Sequence, residues 1–454
     1  MDSIYIHFQL AHIEQSGPLL AETLSPEASV EDPNRLRSIV HSSTISSIQQ
    51  DVRLGLLSHT NTKVRFTKAE GNTWVDVYIA YWKAIGEIVS AQDTTNPQWG
   101  GVYDAWKEVT NALIRGYSGP GFESWTIPCL YITGRYLRIF AIKADACARN
   151  TNRGITSTTL EDDIDADFSK NKNLEDAARL LNRIFNLCVS DRAAMLESRK
   201  WGLYYTANLL FKTYFKLNSI TLSKNILRAI EVSKADMPPP EAFPRSHIVT
   251  FNYYVGVIMF LEENYEKAEE SLNEAWKLCH RGAMRNRELI LTYLIPCHLL
   301  NTHTLPTTLL LAPYPRLQTL FADLSTSIRR GDLAGFDSAL AAGEDEFVKR
   351  RIYLTLERGR DIALRNLFRK VFLAGGMEEA KDSTQPVRRT RIPVDDFAVA
   401  IRLASRSQDE PLENDEVECL LANMIYKNLM KGYISRERSI VVLSKGSAFP
   451  GTKV

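Results

Sequence analysis

Two stretches decide the fold of this chain: Asp361-Ile-Ala-Leu-Arg-Asn-Leu-Phe-Arg-Lys-Val-Phe372 and Lys431-Gly-Tyr-Ile-Ser-Arg-Glu-Arg-Ser-Ile-Val-Val-Leu-Ser444. The first reads as an arginine-rich helix and the second as a hairpin. Two more short helices fit between them, the later one spanning Glu413 to Met430. Three helices closed by a two-stranded wing make a winged-helix pattern. Nothing else in the chain reads as strand. A winged helix brings no catalytic groups of its own; it binds nucleic acid or docks onto another protein.

Working outward, a linking helix from Phe347 to Leu356 leads into this module, so residues 346–454 read as one domain. Its insert, residues 374–391, carries Gly375-Gly376 and Val387-Arg-Arg-Thr-Arg391 and reads as an exposed loop with a basic end. Residues 174–345 read as regular amphipathic helices, with Leu174, Ala177, Ala178, Leu181, Ile184, Phe185 and Cys188 at i, i+3, i+4 steps. Further helices are expected over Leu203–Phe215 and Leu222–Val232. Gly256, Ala268, Leu272 and Ala275 have the spacing of a tetratricopeptide helix pair, whose small residues let two helices approach. Such pairs bury their faces only by stacking, which predicts a solenoid. Asp332 is the expected N-cap of the helix that follows Gly331. Residues 1–170 read as an N-terminal helical region. Trp74, Val77, Tyr78, Tyr81, Trp82 and Ile85 form its clearest apolar face, Gly116 to Gly121 a loop, and the polar run Asn150–Asn173 a linker.

Composition narrows the classes. With 55 basic and 54 acidic residues, the net charge of +1 creates no global field, so any polyanion binding needs a local patch. The 6 cysteines are scattered on apolar faces without a CxxC, which predicts buried thiols in a reducing compartment. Leu289 to Pro315 holds no Asp, Glu, Lys or Arg, yet Pro296, Pro306, Pro313 and Pro315 interrupt it. That predicts two buried helices with a turn at Asn301–Pro306 rather than a membrane span. The N-terminus has no basic lead of the secretory kind.

An all-α, tetratricopeptide-like solenoid followed by a winged helix resembles the PCI domain. Several separated motifs resemble one PCI branch: Tyr293-Leu-Ile-Pro296, Gly331-Asp-Leu with Phe336, Arg365-Asn-Leu-Phe-Arg-Lys-Val371, Glu416-Val-Glu-Cys-Leu-Leu-Ala-Asn-Met-Ile-Tyr426 and Lys431-Gly-Tyr-Ile-Ser435. That branch holds signalosome subunit twelve and the PCI subunit of the nuclear mRNA-export complex. Trp201-Gly-Leu-Tyr-Tyr205 and Leu209 to Asn218 look most like its fungal subunit-twelve-like members. The likeness covers about residues 174–450. It implies a non-catalytic scaffold that pairs with a second PCI protein through the winged helices. It further implies a small acidic disordered polypeptide as partner, and a platform for DNA or RNA in transcription elongation, splicing-linked steps or mRNA export. A nuclear location is expected, with the cytoplasm as the alternative, and neither a membrane nor a cofactor. The rival reading is a protein-only subunit of a signalosome or proteasome-lid-like assembly.

No two of the 8 histidines have the spacing of the signalosome zinc peptidase, and HExxH, GxSxG and GxxxxGK[ST] are absent. Cys279-His280, Cys297-His298 and His303 invite a metal reading, but adjacent helix residues diverge by about 100°. Asp163-Ile-Asp-Ala-Asp167 opens like a calcium loop, then has Phe168 where the glycine belongs.

Basic groups remain. Arg365, Arg369 and Lys370 stand in a stretch with Lys349, Arg350, Arg351, Arg358 and Arg360. The plain alternative is a solvated helix face with an Asp361–Arg365 pair. A second group is Arg388, Arg389, Arg391, Lys427, Lys431, Arg436, Arg438 and Lys445, at the insert, the end of the third helix and the wing. Clustered Lys and Arg suffice to bind phosphates. Because Glu413, Asp415, Glu416 and Glu418 at the start of the third helix would repel them, the wing and the C-terminal end of that helix are the expected contact, with little sequence preference. Glu437 is expected to point away from Arg436 and Arg438.

Overall fold

The computed structural model describes residues 1–28, 32–57, 66–95, 97–119, 121–152, 171–378, 387–406 and 413–452. The chain divides into two compact units, Met1–Tyr254 and Val255–Val454.

The first unit is helical. It begins with α1 (Asp2–Glu14), α2 (Gly17–Thr23), α3 (Arg35–His41) and α4 (Ile48–Leu57). Three long helices follow: α5 (Lys68–Asp93), α6 (Trp99–Ser118) and α7 (Pro128–Asn152). Then come α8 (Lys172–Val189), α9 (Leu203–Lys216) and α10 (Thr221–Ser233), and the division falls within α11 (Arg245–Leu261). The expected aromatic face of α5 is its core: Trp74, Tyr78, Tyr81 and Ile85 are fully buried. Trp74 stacks on Phe122 at 4.0 Å, and the Trp106 indole donates to the Thr133 carbonyl at 2.9 Å. Burial of such rings supplies much of the driving force; the Trp106 donor is satisfied, whereas the Trp74 Nε1 is buried without a hydrogen-bond partner among the described residues. Helix α6 continues through Gly116, where a Cβ would stand 2.2 Å from the Phe122 ring, so glycine there serves packing rather than a loop.

Residues 153–170, with the Asp163–Asp167 run, lie outside the described residues. The helices on either side of them pack together. The Asp145 carboxylate of α7 accepts the Asn173 and Leu174 amides at 3.0 Å each, satisfying donors at the start of α8. The division between the two compact units falls further along, at Tyr254/Val255.

The second unit continues with α12 (Tyr265–Leu278), α13 (Met284–Asn301), α14 (Thr308–Leu311), α15 (Pro315–Arg330) and α16 (Leu333–Ala342). The repeat-like signature is a close helix pair. Ala268, Leu272 and Ala275 are fully buried, and a Cβ on Gly256 would lie 2.6 Å from Leu272. We expect Ala268→Leu to overpack this contact and destabilise by about 1–3 kcal/mol. An unchanged melting temperature of the full chain would show that the contact is loose.

The uncharged stretch folds as α13, which tolerates Pro296 in its interior, and then the single turn of α14 rather than a second full helix. Ile290, Leu291, Tyr293 to Ile295, Cys297 and Leu299 are buried within the unit. No helix among the described residues is long and apolar enough to cross a membrane. Four cysteines, 129, 188, 279 and 297, are buried as expected; Cys147 is partly exposed and Cys419 exposed. His298 does not join Cys297: its Nδ1 faces Glu269 at 3.1 Å.

Gly331 ends α15 with φ +63°, and a Cβ there would sit 2.7 Å from the Leu367 amide nitrogen. Next to it, Asp332 caps α16 by accepting the Gly335 amide at 2.9 Å, as its sequence position predicts. The linking helix is broken at Arg351 (φ 60°) into α17 (Glu344–Arg350) and α18 (Tyr353–Glu357).

The winged helix comprises α19 (Arg360–Ala374), a two-residue ladder of β1 (Met377–Glu378) with β2 (Val387–Arg388), then β3 (Arg391–Pro393), α20 (Val394–Ser405), α21 (Asn414–Tyr426), β4 (Gly432–Ser435) and β5 (Ile440–Leu443). Residues 379–386 of the insert lie outside the described residues. The wing sheet has three strands, β3-β5-β4, not two. The basic end of the insert supplies the third, because Ile392 buries beside Val441 while its backbone pairs the open edge of β5. Helix α21 stops at Tyr426 because Asn428 takes φ 55° and turns Leu429 and Met430 inward.

Candidate nucleic-acid interface on the winged helix

Strand alternation sorts the wing. Ile392, Val441 and Leu443 point into the core. Arg391, Val442 and Tyr433 are paired in register across the three strands and form the outer row. Lys431 extends β4 opposite Ser444, whose amide donates to the Lys431 carbonyl at 2.9 Å. It therefore shares the outer face with Tyr433, which is 63% exposed. Arg436–Arg438 is a turn of 3-10 helix, so the alternation expected of Glu437 does not apply; Arg436, Glu437 and Arg438 are all exposed.

The eleven expected basic residues fall into distinct states. Arg391, Lys431, Arg438 and Lys445 are exposed and form no ion pair among the described residues. Arg436 is held by Asp415 at 3.1 Å and Glu418 at 3.6 Å, Lys427 by Asp361 at 2.6 Å, and Arg389 by Glu378 at 3.4 Å. Arg388 lies over the Phe372 ring at 5.6 Å and donates to the Leu373 carbonyl at 3.3 Å. Lys370, though exposed, donates to the Arg330 carbonyl at 2.6 Å.

The expected basic face of α19 is not a solvated face. Arg365 is only 5% exposed and bonds its neighbour Asn366, while its Nη1 has no partner. Burial first, and then nearby Arg369, lowers the pKa of its guanidinium. Arg369 is half-buried, and its Nε lacks a partner. Nor does Asp361 pair with Arg365, since it has turned to Lys427. Helical spacing made the Asp361–Arg365 pair plausible, but packing of α19 against α15 pulls Arg365 inward, where Asn366 donates to the Ile328 carbonyl at 2.8 Å.

The exposed, unpaired cations among the eleven are thus concentrated on the wing: Arg391 and Lys431 share the outer face with Tyr433, Arg438 stands in the turn between β4 and β5, and Lys445 follows β5. Sequence reasoning did not single out Tyr433. The alternation of Tyr433 with Ile434 in a hairpin was a usable signal, but which side was buried depended on the third strand.

A PCI domain model matches residues 340–445. The chain is 58% identical to Protein CSN12 homolog of Neurospora crassa over 459 residues, covering 100% of both chains. It is 36% identical to Protein CSN12 homolog of Schizosaccharomyces pombe over 388 residues, covering 86% of this chain and 85% of the relative. It is 34% identical to PCI domain-containing protein 2 of Xenopus laevis over 343 residues, covering 75% and 77%. The chain belongs to the PCI-domain family, in the group of the CSN12 homologs. Membership in that group supports a PCI scaffold subunit as its coarse function.

Proposed function

We propose that the chain is a non-catalytic, nuclear PCI scaffold that pairs with a second PCI protein and holds nucleic acid on the outer face of its wing. Transcription elongation, splicing-linked steps or mRNA export is its setting. The observation that carries the nucleic-acid part is the wing, where Arg391 and Lys431 on the outer face, Arg438 in the turn and Lys445 after β5 stand exposed without carboxylate partners among the described residues. Phosphate recognition requires accessible, uncompensated cations and little else. The acidic start of α21 argues against deep insertion of that helix into a major groove. The test is titration of duplex with wing variants: loss of the exposed cations should weaken binding and lower its salt dependence.

The pairing rests on apolar surface. The uncharged stretch and the wing strand do not supply it, since most of their large side chains are buried; Leu309 is the main exception. Helix α20 presents Val399 and Leu403, 43% and 74% exposed, one turn apart on one face. A stripe of this kind suits docking of a partner winged helix. We expect Val399→Asp with Leu403→Asp to abolish co-purification of a PCI partner without unfolding the chain. The wild-type chain alone is expected to self-associate, so a stable, non-aggregating monomer at micromolar concentration would count against the pairing.

The acidic polypeptide remains part of the proposal. Its contact is not the α19 face around Arg365, which is closed. The protein-only assembly is the second reading, favoured by the internal pairing of Arg436, Lys427 and Arg389.

A further inference from the structure

A second cationic surface lies wholly within the first unit. Helix α7 places Tyr131, Arg135 and Arg138 at i, i+4 and i+7, and α9 places Tyr205, Asn208 and Lys212 at i, i+3 and i+7. Each spacing keeps its residues on one helix face. The two faces adjoin. Tyr131 and Tyr205 stack with centroids 4.1 Å apart, and Arg138 Nη2 donates to the Lys212 carbonyl at 3.1 Å. His247 of α11 closes one side, 5.0 Å from the Tyr205 ring, and Asn208 Nδ2 donates to the His247 carbonyl at 2.9 Å.

This stripe is uncompensated. Arg135, Arg138 and Lys212 form no ion pair among the described residues, and the Nε of Arg138 is buried without an acceptor. Partial desolvation, then Arg138 and Arg135, holds the Lys212 ammonium below its ordinary pKa. Burial, then Lys212, lowers that of His247. Like charges gathered in this way repel one another, and an anion laid across them relieves the repulsion.

We propose that the stripe binds single-stranded nucleic acid, with phosphates on Arg135, Arg138 and Lys212 and bases against the Tyr131–Tyr205 stack. Cations interleaved with aromatic rings along a helix pair are the elements that a flexible strand uses without base readout. An acidic peptide would meet the cations equally well. It would leave the Tyr131–Tyr205 pair unused, whereas a base can lie against an aromatic ring while its phosphate meets the cations.

The inference does not depend on duplex binding by the wing. The test titrates the full chain with a fluorescein-labelled oligouridylate of about 15 nucleotides, by anisotropy at several salt concentrations. The variant Arg135→Ala/Lys212→Ala is expected to weaken binding about tenfold or more and to lower the salt slope by about 1.4 units. Duplex binding should be unchanged, whereas the wing variant should lose duplex binding and keep the stripe's share of oligouridylate binding. Since the substitutions remove repulsion, the melting temperature should not fall; if it does, Arg135→Gln/Lys212→Gln replaces them. Unchanged affinity and slope for oligouridylate overturn the proposal. So does a stripe that binds a polyglutamate peptide of equal charge but not the oligonucleotide.

Discussion

Replacing Arg391, Lys431 and Arg438 together with alanine is expected to weaken duplex binding by the assembled heterodimer on the order of 100-fold at about 0.1 M salt. Each side chain is exposed and lacks a carboxylate partner among the described residues, so each releases about one counterion when it meets a phosphate. The salt slope should fall by about 2.7 units, equally for unrelated sequences. Arg436→Ala should have a much smaller effect, since Asp415 and Glu418 already offset that charge. The fold should survive because these side chains take no part in the core, which Ile392, Val441 and Leu443 supply. Anisotropy titrations at two salt concentrations read both quantities. A triple variant with wild-type affinity and slope would remove the wing as the contact, and the protein-only assembly would then be the better account.

Gly331→Ala is expected to be the most damaging single methyl addition in the second unit. Two separate penalties coincide there. The backbone is left-handed at φ +63°, where a residue with a Cβ is disfavoured by about 1–2 kcal/mol. The new Cβ would also stand 2.7 Å from the Leu367 amide nitrogen, which is helix backbone and cannot swing aside. Overpacking of this kind adds about 1–3 kcal/mol. At about 2–4 °C per kcal/mol for a unit of this size, the melting transition should drop by several degrees, to about 10 °C. Glycine at Gly376 offers a control. Its φ is +75°, but no atom lies within 4 Å of an added Cβ, so Gly376→Ala should show the conformational penalty alone. Equal shifts for the two variants would mean that the approach of α19 to the end of α15 is not tight.

Periodicity and local chemistry made much of the architecture legible. The faces of α5 and α8, the Gly256–Ala268–Leu272 contact and the Asp332 cap depend on spacing within one or two helices, and they stand where the sequence places them. The helices and hairpin of the winged helix were likewise local patterns. What spacing does not encode is which elements meet. β3 became a strand because a partner edge and a buried site for Ile392 were available, and neither is visible in Arg391-Ile-Pro393 alone. Arg365 looked solvated because a helix shows its charges without showing its neighbours. Packing of α19 against α15 sealed it, and Asp361 found Lys427 instead. Thus the sequence by itself determined the helical class, the helix pair and the C-terminal module. Only tertiary structure decided which basic groups stay free, because a charge remains available to a ligand only where the fold brings no carboxylate to it and leaves it in water.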